Sequence, residues 1–143
     1  MRRLTLAATA VLAATLGLAA CATTDREPEQ RSASAQKELD RLLGGKVAGQ
    51  PVSCLPSYRS QDMVVIDENT ILFREGGSRV WRNDVTGPCS GLGTSGRALL
   101  TKQFSSGSLC RGEIAQVIDT SQGATVGSCA LGDFVPYTAP GRS

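Results

Sequence analysis

Histidine does not occur anywhere in this 143-residue chain, and that gap excludes a Ser-His-Asp triad outright. Cysteines are present, yet none form a Cys-x-x-Cys pair, the close spacing from which zinc sites usually draw their ligands. No cofactor or metal is therefore expected. Large amphipathic aromatics are few, namely Trp81, Tyr58 and Tyr137. The apolar run from Leu4 to Leu18 is 15 residues long, short of the roughly 20 that a membrane-spanning helix needs. A basic surplus is lacking too. The formal charge of +2 comes from Arg2 and Arg3, and without them 13 basic residues stand against 13 acidic ones. A balanced chain sets up no field for nucleic acid, so no nucleic-acid partner is expected.

The N-terminus is more informative. Met1-Arg2-Arg3 is a short positive start, and the uncharged apolar run follows it. A positive start, a short apolar core and small residues before a cut site are the marks of a secretory signal. Leu18-Ala19-Ala20-Cys21 resembles the lipobox of bacterial lipoprotein precursors. That resemblance implies cleavage before Cys21, lipidation of its thiol and acylation of the new amine. Several acyl chains anchor stably where one holds only marginally. Ala22, rather than Asp, after the cysteine implies the outer membrane by the lipoprotein sorting rule. The expected location is the cell envelope, facing the periplasm. Residues 22–34 read ATTDREPEQRSAS, with no aromatic or large aliphatic side chain to offset the entropy of ordering. The expected organisation is a signal over 1–20, a lipidated cysteine and tether over 21–34, one domain over 35–137, and a frayed tail over 138–143.

Beyond Cys21, four cysteines remain: Cys54, Cys89, Cys110 and Cys129. An even number in a small exported domain implies two disulfides. Three pairings are open to four cysteines. The nested one, Cys89–Cys110 inside Cys54–Cys129, is the expectation. It would staple a glycine-rich loop to the next hairpin and join the first strand to the last.

Within the domain, Ser34 to Leu43 reads as one short helix, with Ser34 as its cap, Leu39, Leu42 and Leu43 on one face, and Gly44-Gly45 as its stop. Period-two patterning then takes over. Val52–Leu55 is one strand; Met63–Ile66 and Thr70–Phe73 flank the tight loop Asp67-Glu68-Asn69. Gly76-Gly77 turns the chain into Ser78–Arg82, a hairpin signal if both glycines take positive φ. Ala98–Phe104 and Glu113–Asp119 form another pair, and Gly132–Tyr137 closes the domain. About seven short strands with frequent turns predict a mainly β fold, a small antiparallel barrel or sandwich stapled by disulfides.

Three stretches carry a resemblance: Gly49–Cys54, Leu109–Ile114 and Gly127–Tyr137, the last containing Gly-x-Cys-x-Leu-Gly-x-Phe-x-Pro-Tyr. Together they resemble a family of small exported proteobacterial proteins of unknown function, found in sphingomonads and their relatives. The similarity spans about residues 36–137 and implies one exported domain, with no activity, ligand or catalytic residue to carry over.

Several motifs invite a sharper reading. Gly91-Leu92-Gly93-Thr94-Ser95-Gly96 is a literal G-x-G-x-x-G, but a dinucleotide fold needs it between a strand and a helix. Here it precedes a strand, so a loop is expected and no nucleotide partner. Ser34-Ala35-Gln36-Lys37 is a literal S-x-x-K lacking the companion S-D-N and K-T-G motifs. Asp67, Glu68, Glu113, Asp119 and Asp133 offer carboxylates for glycoside cleavage only if a cleft brings two together. Arg74, Arg79, Trp81 and Arg82 lie near one another on one proposed hairpin and form the candidate binding surface. The reading is a non-enzymatic, membrane-anchored binding or structural module, with another envelope protein as the candidate partner. The alternative is an inhibitor-type β-domain acting on an envelope or host hydrolase through the Cys89–Cys110 loop. A carboxylate-based hydrolase ranks last.

Overall fold

The fold was obtained as a computed structural model, which describes residues 31–55, 62–101 and 107–141. Cys21 with its lipobox, tether residues 22–30, Tyr58, Lys102 and Phe104 lie outside the described residues.

Helix α1 spans Ala33–Leu43. Its cap is Ser32, not Ser34: the Ser32 hydroxyl accepts from the Ala35 amide at 3.2 Å, so the helix begins earlier than expected. Lys46 Nζ donates to the Leu42 carbonyl at 2.8 Å and supplies positive charge at the C-terminal end. The strands are β1 (Val47–Ala48), β2 (Cys54–Leu55), β3 (Met63–Val65), β4 (Thr70–Glu75), β5 (Arg79–Asp84), β6 (Arg97–Thr101), β7 (Leu109–Cys110), β8 (Ile114–Asp119), β9 (Thr125–Ala130) and β10 (Phe134–Thr138).

The fold is mainly β and sandwich-like, and its sheets do not close into a barrel. A large antiparallel sheet has the order β1-β10-β5-β4-β3, a smaller one β6-β8-β9, and β2 pairs with β7. Two isolated bridges link these parts, Val52 to Phe134 and Thr86 to Ala130. Alternation along β4 and β5 supplies two buried faces. Ile71, Phe73 and Trp81 face the smaller sheet, where they pack with Leu55, Leu92, Leu109, Ala115, Val117, Leu131 and Phe134. Leu72 and Val80 face the other way, beneath Leu39 and Leu42 of α1. The order is therefore helix, large sheet, small sheet. The outer face of the small sheet carries Leu100 and Ile114, 44% and 53% exposed.

The cysteine pairing corrects the nested expectation. Cys54 is joined to Cys110 and Cys89 to Cys129. Residues 54–55 are not the partner of the last strand; they lie in register with β7, so Cys54 faces Cys110 directly. Cys129 lies on β9, a strand the sequence reading did not assign. The segment leaving β5 is held against β9, which places Cys89 beside Cys129. In the chain-entropy model each link contributes about 4 kcal/mol.

Two glycines mark where backbones approach too closely for any side chain. A Cβ on Gly127 would meet the Ser90 carbonyl oxygen at 2.4 Å, and one on Gly132 would meet that of Asp84 at 2.1 Å. In the β4–β5 turn only Gly76 takes positive φ, +61°, whereas Gly77 does not. Gly132→Ala is expected to destabilise the domain by about 2–3 kcal/mol through backbone displacement. Gly77→Ala, with open space around it, leaves stability nearly unchanged. Denaturant unfolding of the two variants checks both outcomes.

Candidate functional site

The candidate arginines do not form one surface. Residues on β4 and β5 alternate between faces, so Arg74 and Arg82 lie on the helix side and Arg79 and Trp81 on the small-sheet side. Trp81 is 6% exposed, with its indole Nε1 donating to Glu75 Oε2 at 2.7 Å. The Arg79 guanidinium stands 5.6 Å from the Trp81 ring centroid and pairs with Glu75 at 3.4 Å. These three side chains form a closed polar cap over the end of the core. Arg74 is exposed.

On the helix side a second group brings together residues far apart in sequence. Arg31 Nε donates to Asp67 Oδ2 at 2.5 Å, and its terminal nitrogen donates to Thr70 Oγ1 at 2.7 Å. The Thr70 hydroxyl donates to Asp84 Oδ1 at 3.0 Å, and Arg82 Nε donates to the same carboxylate. Burial, the largest influence on Arg82, disfavours its charge; hydrogen bonding and the charge of Asp84, with help from Tyr137, outweigh it and raise the pKa. This chain of pairs fastens the start of the helix to the β3–β4 turn. The sequence reading did not single out Arg31, Thr70 or Asp84. The one local signal was Thr70, a polar residue opening the apolar run Ile71–Phe73.

Asn83 was also missed. It is fully buried on β5; its amide donates to the Gly132 carbonyl at 2.8 Å and its carbonyl accepts from the Gly132 amide at 3.0 Å. The side chain acts as an extra rung of sheet, holding the β9–β10 turn where only glycine fits.

The five carboxylates named as hydrolase candidates each have hydrogen-bond partners; Asp67 and Glu68 share the β3–β4 turn, and Glu113, Asp119 and Asp133 lie elsewhere. Asp67 Oδ1 accepts from the amides of Asn69 and Thr70, both at 2.8 Å. Glu68 Oε1 accepts from the Gly91 amide. Glu113 Oε2 accepts from the Cys110 amide at 3.2 Å, and Asp133 pairs with Arg111 at 3.1 Å. Asp119 accepts from the Ser121 amide at 2.9 Å, the Ser121 hydroxyl and the Gln122 amide. Arg97 lies 3.6 Å away.

The G-x-G-x-x-G stretch is a loop running into β6, as expected. Gly91, Gly93 and Gly96 have φ of +83°, +84° and +78°, values that favour glycine. Leu92, 5% exposed, is driven into the core between them. Thus the loop is pinned at Cys89, Gly91 and Leu92. Among the described residues no group of three Cys, Asp or Glu side chains comes together as a metal site. Ser34 and Lys37 are exposed on the first turns of α1. An open groove of about 400 Å³ runs along β1 and the C-terminal segment, lined by Val47, Ala48, Gly49 and residues 138–141, without a titratable side chain.

A family model of unknown function, DUF6491, matches residues 2–131. The chain belongs to that family. The match runs from Arg2 to Leu131, the residue after β9. No curated protein and no solved structure matches the chain.

Asp119 gives a direct check on the role of these acids as turn-holders. Its pKa is held below the ordinary aspartate value of 3.8, first by the Ser121 hydroxyl and amide, which outweigh desolvation, with the Gln122 amide and Arg97 adding less. A depressed carboxylate stabilises the fold above the unfolded value and loses that contribution as pH falls through the folded value. Hence the β8–β9 hairpin is expected to loosen below about pH 4. In Ser121→Ala the Asp119 titration midpoint, followed by NMR, moves upward. An unchanged midpoint contradicts the account.

Proposed function

We propose that this protein is a non-catalytic module, tethered to the cell envelope through a lipid on Cys21 and facing the periplasm. It acts by contact with another envelope component, and the outer membrane is the favoured site. The observation that carries the non-catalytic reading is the use of the carboxylates. Asp67, Glu68, Glu113 and Asp119 each accept backbone-amide hydrogen bonds that hold a turn or loop, and Asp133 pairs with Arg111 at the surface. Catalysis by carboxylates asks for two acids sharing a cleft, one of them with a raised pKa. A chain without histidine, whose four domain cysteines are paired, draws on few other groups to activate a nucleophile.

The anchored reading is supported by Leu18-Ala19-Ala20-Cys21 and by the two disulfides, which suit an oxidising compartment. The inhibitor alternative relied on a loop closed by Cys89 and Cys110. Cys89 instead binds Cys129, and Leu92 draws that loop into the core, so the alternative loses the feature that motivated it.

Two variants test the two halves of this reading. Cys21→Ser is expected to abolish acylation and release the chain from membranes during fractionation; full retention with the membrane contradicts the anchor. Glu68→Gln is expected to cost about 1 kcal/mol of stability, because the Gly91 amide then bonds a neutral acceptor. Unchanged stability would mean that Glu68 is retained for some purpose other than holding the loop.

A further inference from the structure

The two disulfides lie in different surroundings. Cys89 is 0% exposed and Cys129 is 5% exposed, both within the core between the sheets. Cys54 is exposed at the start of β2, and Cys110 is half-buried on β7. The Arg111 amide donates to the Ser53 carbonyl at 2.7 Å, so the adjacent Cys54–Cys110 register position is a non-hydrogen-bonded one, where facing side chains come closest. These strands are also held without sulfur. Leu55 and Leu109, 1% and 0% exposed, pack into the core beside the cysteines. Val52 exchanges two backbone hydrogen bonds with Phe134, each 2.9 Å. The exposed link can therefore open while the sheet contacts around it persist.

We propose that Cys54–Cys110 is a thiol-exchange site for a dithiol protein, with Cys54 Sγ the atom attacked, and that Cys89–Cys129 is the permanent staple. Exchange rates depend on access, and access favours attack at Cys54 here. The reductant's thiolate forms a bond to Cys54 Sγ as the bond to Cys110 Sγ breaks. Cys110 leaves as a thiolate and takes a proton. The second thiolate of the reductant then attacks its own sulfur in the mixed disulfide and expels Cys54, which is protonated in turn. The protein disulfide gains two electrons and two protons, and the dithiol, having lost both, becomes a disulfide. The product is a fold still stapled by Cys89–Cys129, with an exposed thiol at Cys54 and residues 49–52 still bonded to β10.

The exchange does not depend on the lipid anchor, so its failure leaves the anchor untouched. The probe is a Cys-x-x-Cys oxidoreductase whose second cysteine is replaced by serine, incubated with the full oxidised chain. Peptide mapping is expected to find the trapped mixed disulfide at Cys54. With the intact oxidoreductase, Cys54–Cys110 is expected to be reduced at least about tenfold faster than Cys89–Cys129. A mixed disulfide at Cys89, Cys110 or Cys129, equal reduction rates, or no trapped adduct overturns the proposal. So does unfolding of the Cys54→Ser, Cys110→Ser double variant, because the site must open without loss of the fold.

Discussion

The structure depends on one crossing, where the chain leaving β5 passes over β9. Thr86 and Ala130 exchange backbone hydrogen bonds there, the Ser90 carbonyl lies so close that residue 127 must be glycine, and Cys89 is bonded to Cys129. Just upstream, Asn83 holds Gly132. A two-sheet fold with few strands per sheet has little area to bury, and its halves need a fixed relation before their apolar faces can meet. The crossing supplies that relation. It sets Leu92, Val117 and Leu131 against Ile71, Phe73, Trp81 and Phe134 of the large sheet.

Much of this was legible in the sequence, and what was not has physical causes. The helix, the Asp67–Asn69 hairpin, the β4–β5 turn and the β6–β8 pair all have clear periodicity or turn chemistry, and each occurs within a residue or two of expectation, save that β6 ends at Thr101 where a strand to Phe104 was expected, residues 102–106 lying outside those described. Strand β9, with the sequence TVGSCA, has no such signal, because its small residues exist to let another backbone lie on top of it. Without β9, Cys129 is attached to the last strand, and the expected pairing with Cys54 follows from that; on β9 it faces Cys89 instead. Two-residue strands such as β1, β2 and β7 are set by tertiary register and leave no period to read. The grouping of Arg74, Arg79, Trp81 and Arg82 failed for a simpler reason: neighbours along a strand alternate between faces.

The charge pattern has the same origin. A chain balanced in acid and base spends its charges locally. Arg31, Asp67, Thr70, Asp84 and Arg82 lock the helix start to the large sheet, while Glu75 and Arg79 close over Trp81. Individually such pairs contribute little at a surface. Their effect here is to fix loop ends and the entry of the chain, so that the apolar layers need no long connections. Polar residues that resembled a reaction site in sequence thereby become parts of turns.

The most direct test of the crossing is amide hydrogen exchange of the full chain at Thr86, Cys89 and Ala130, whose amides donate to Ala130, Glu68 and Thr86 respectively. If this contact unites the sheets, these amides exchange only with opening of the whole domain, as slowly as the interior of β5. Exchange at the rate of an exposed loop, with β5 still protected, would show that the sheets hold together without it.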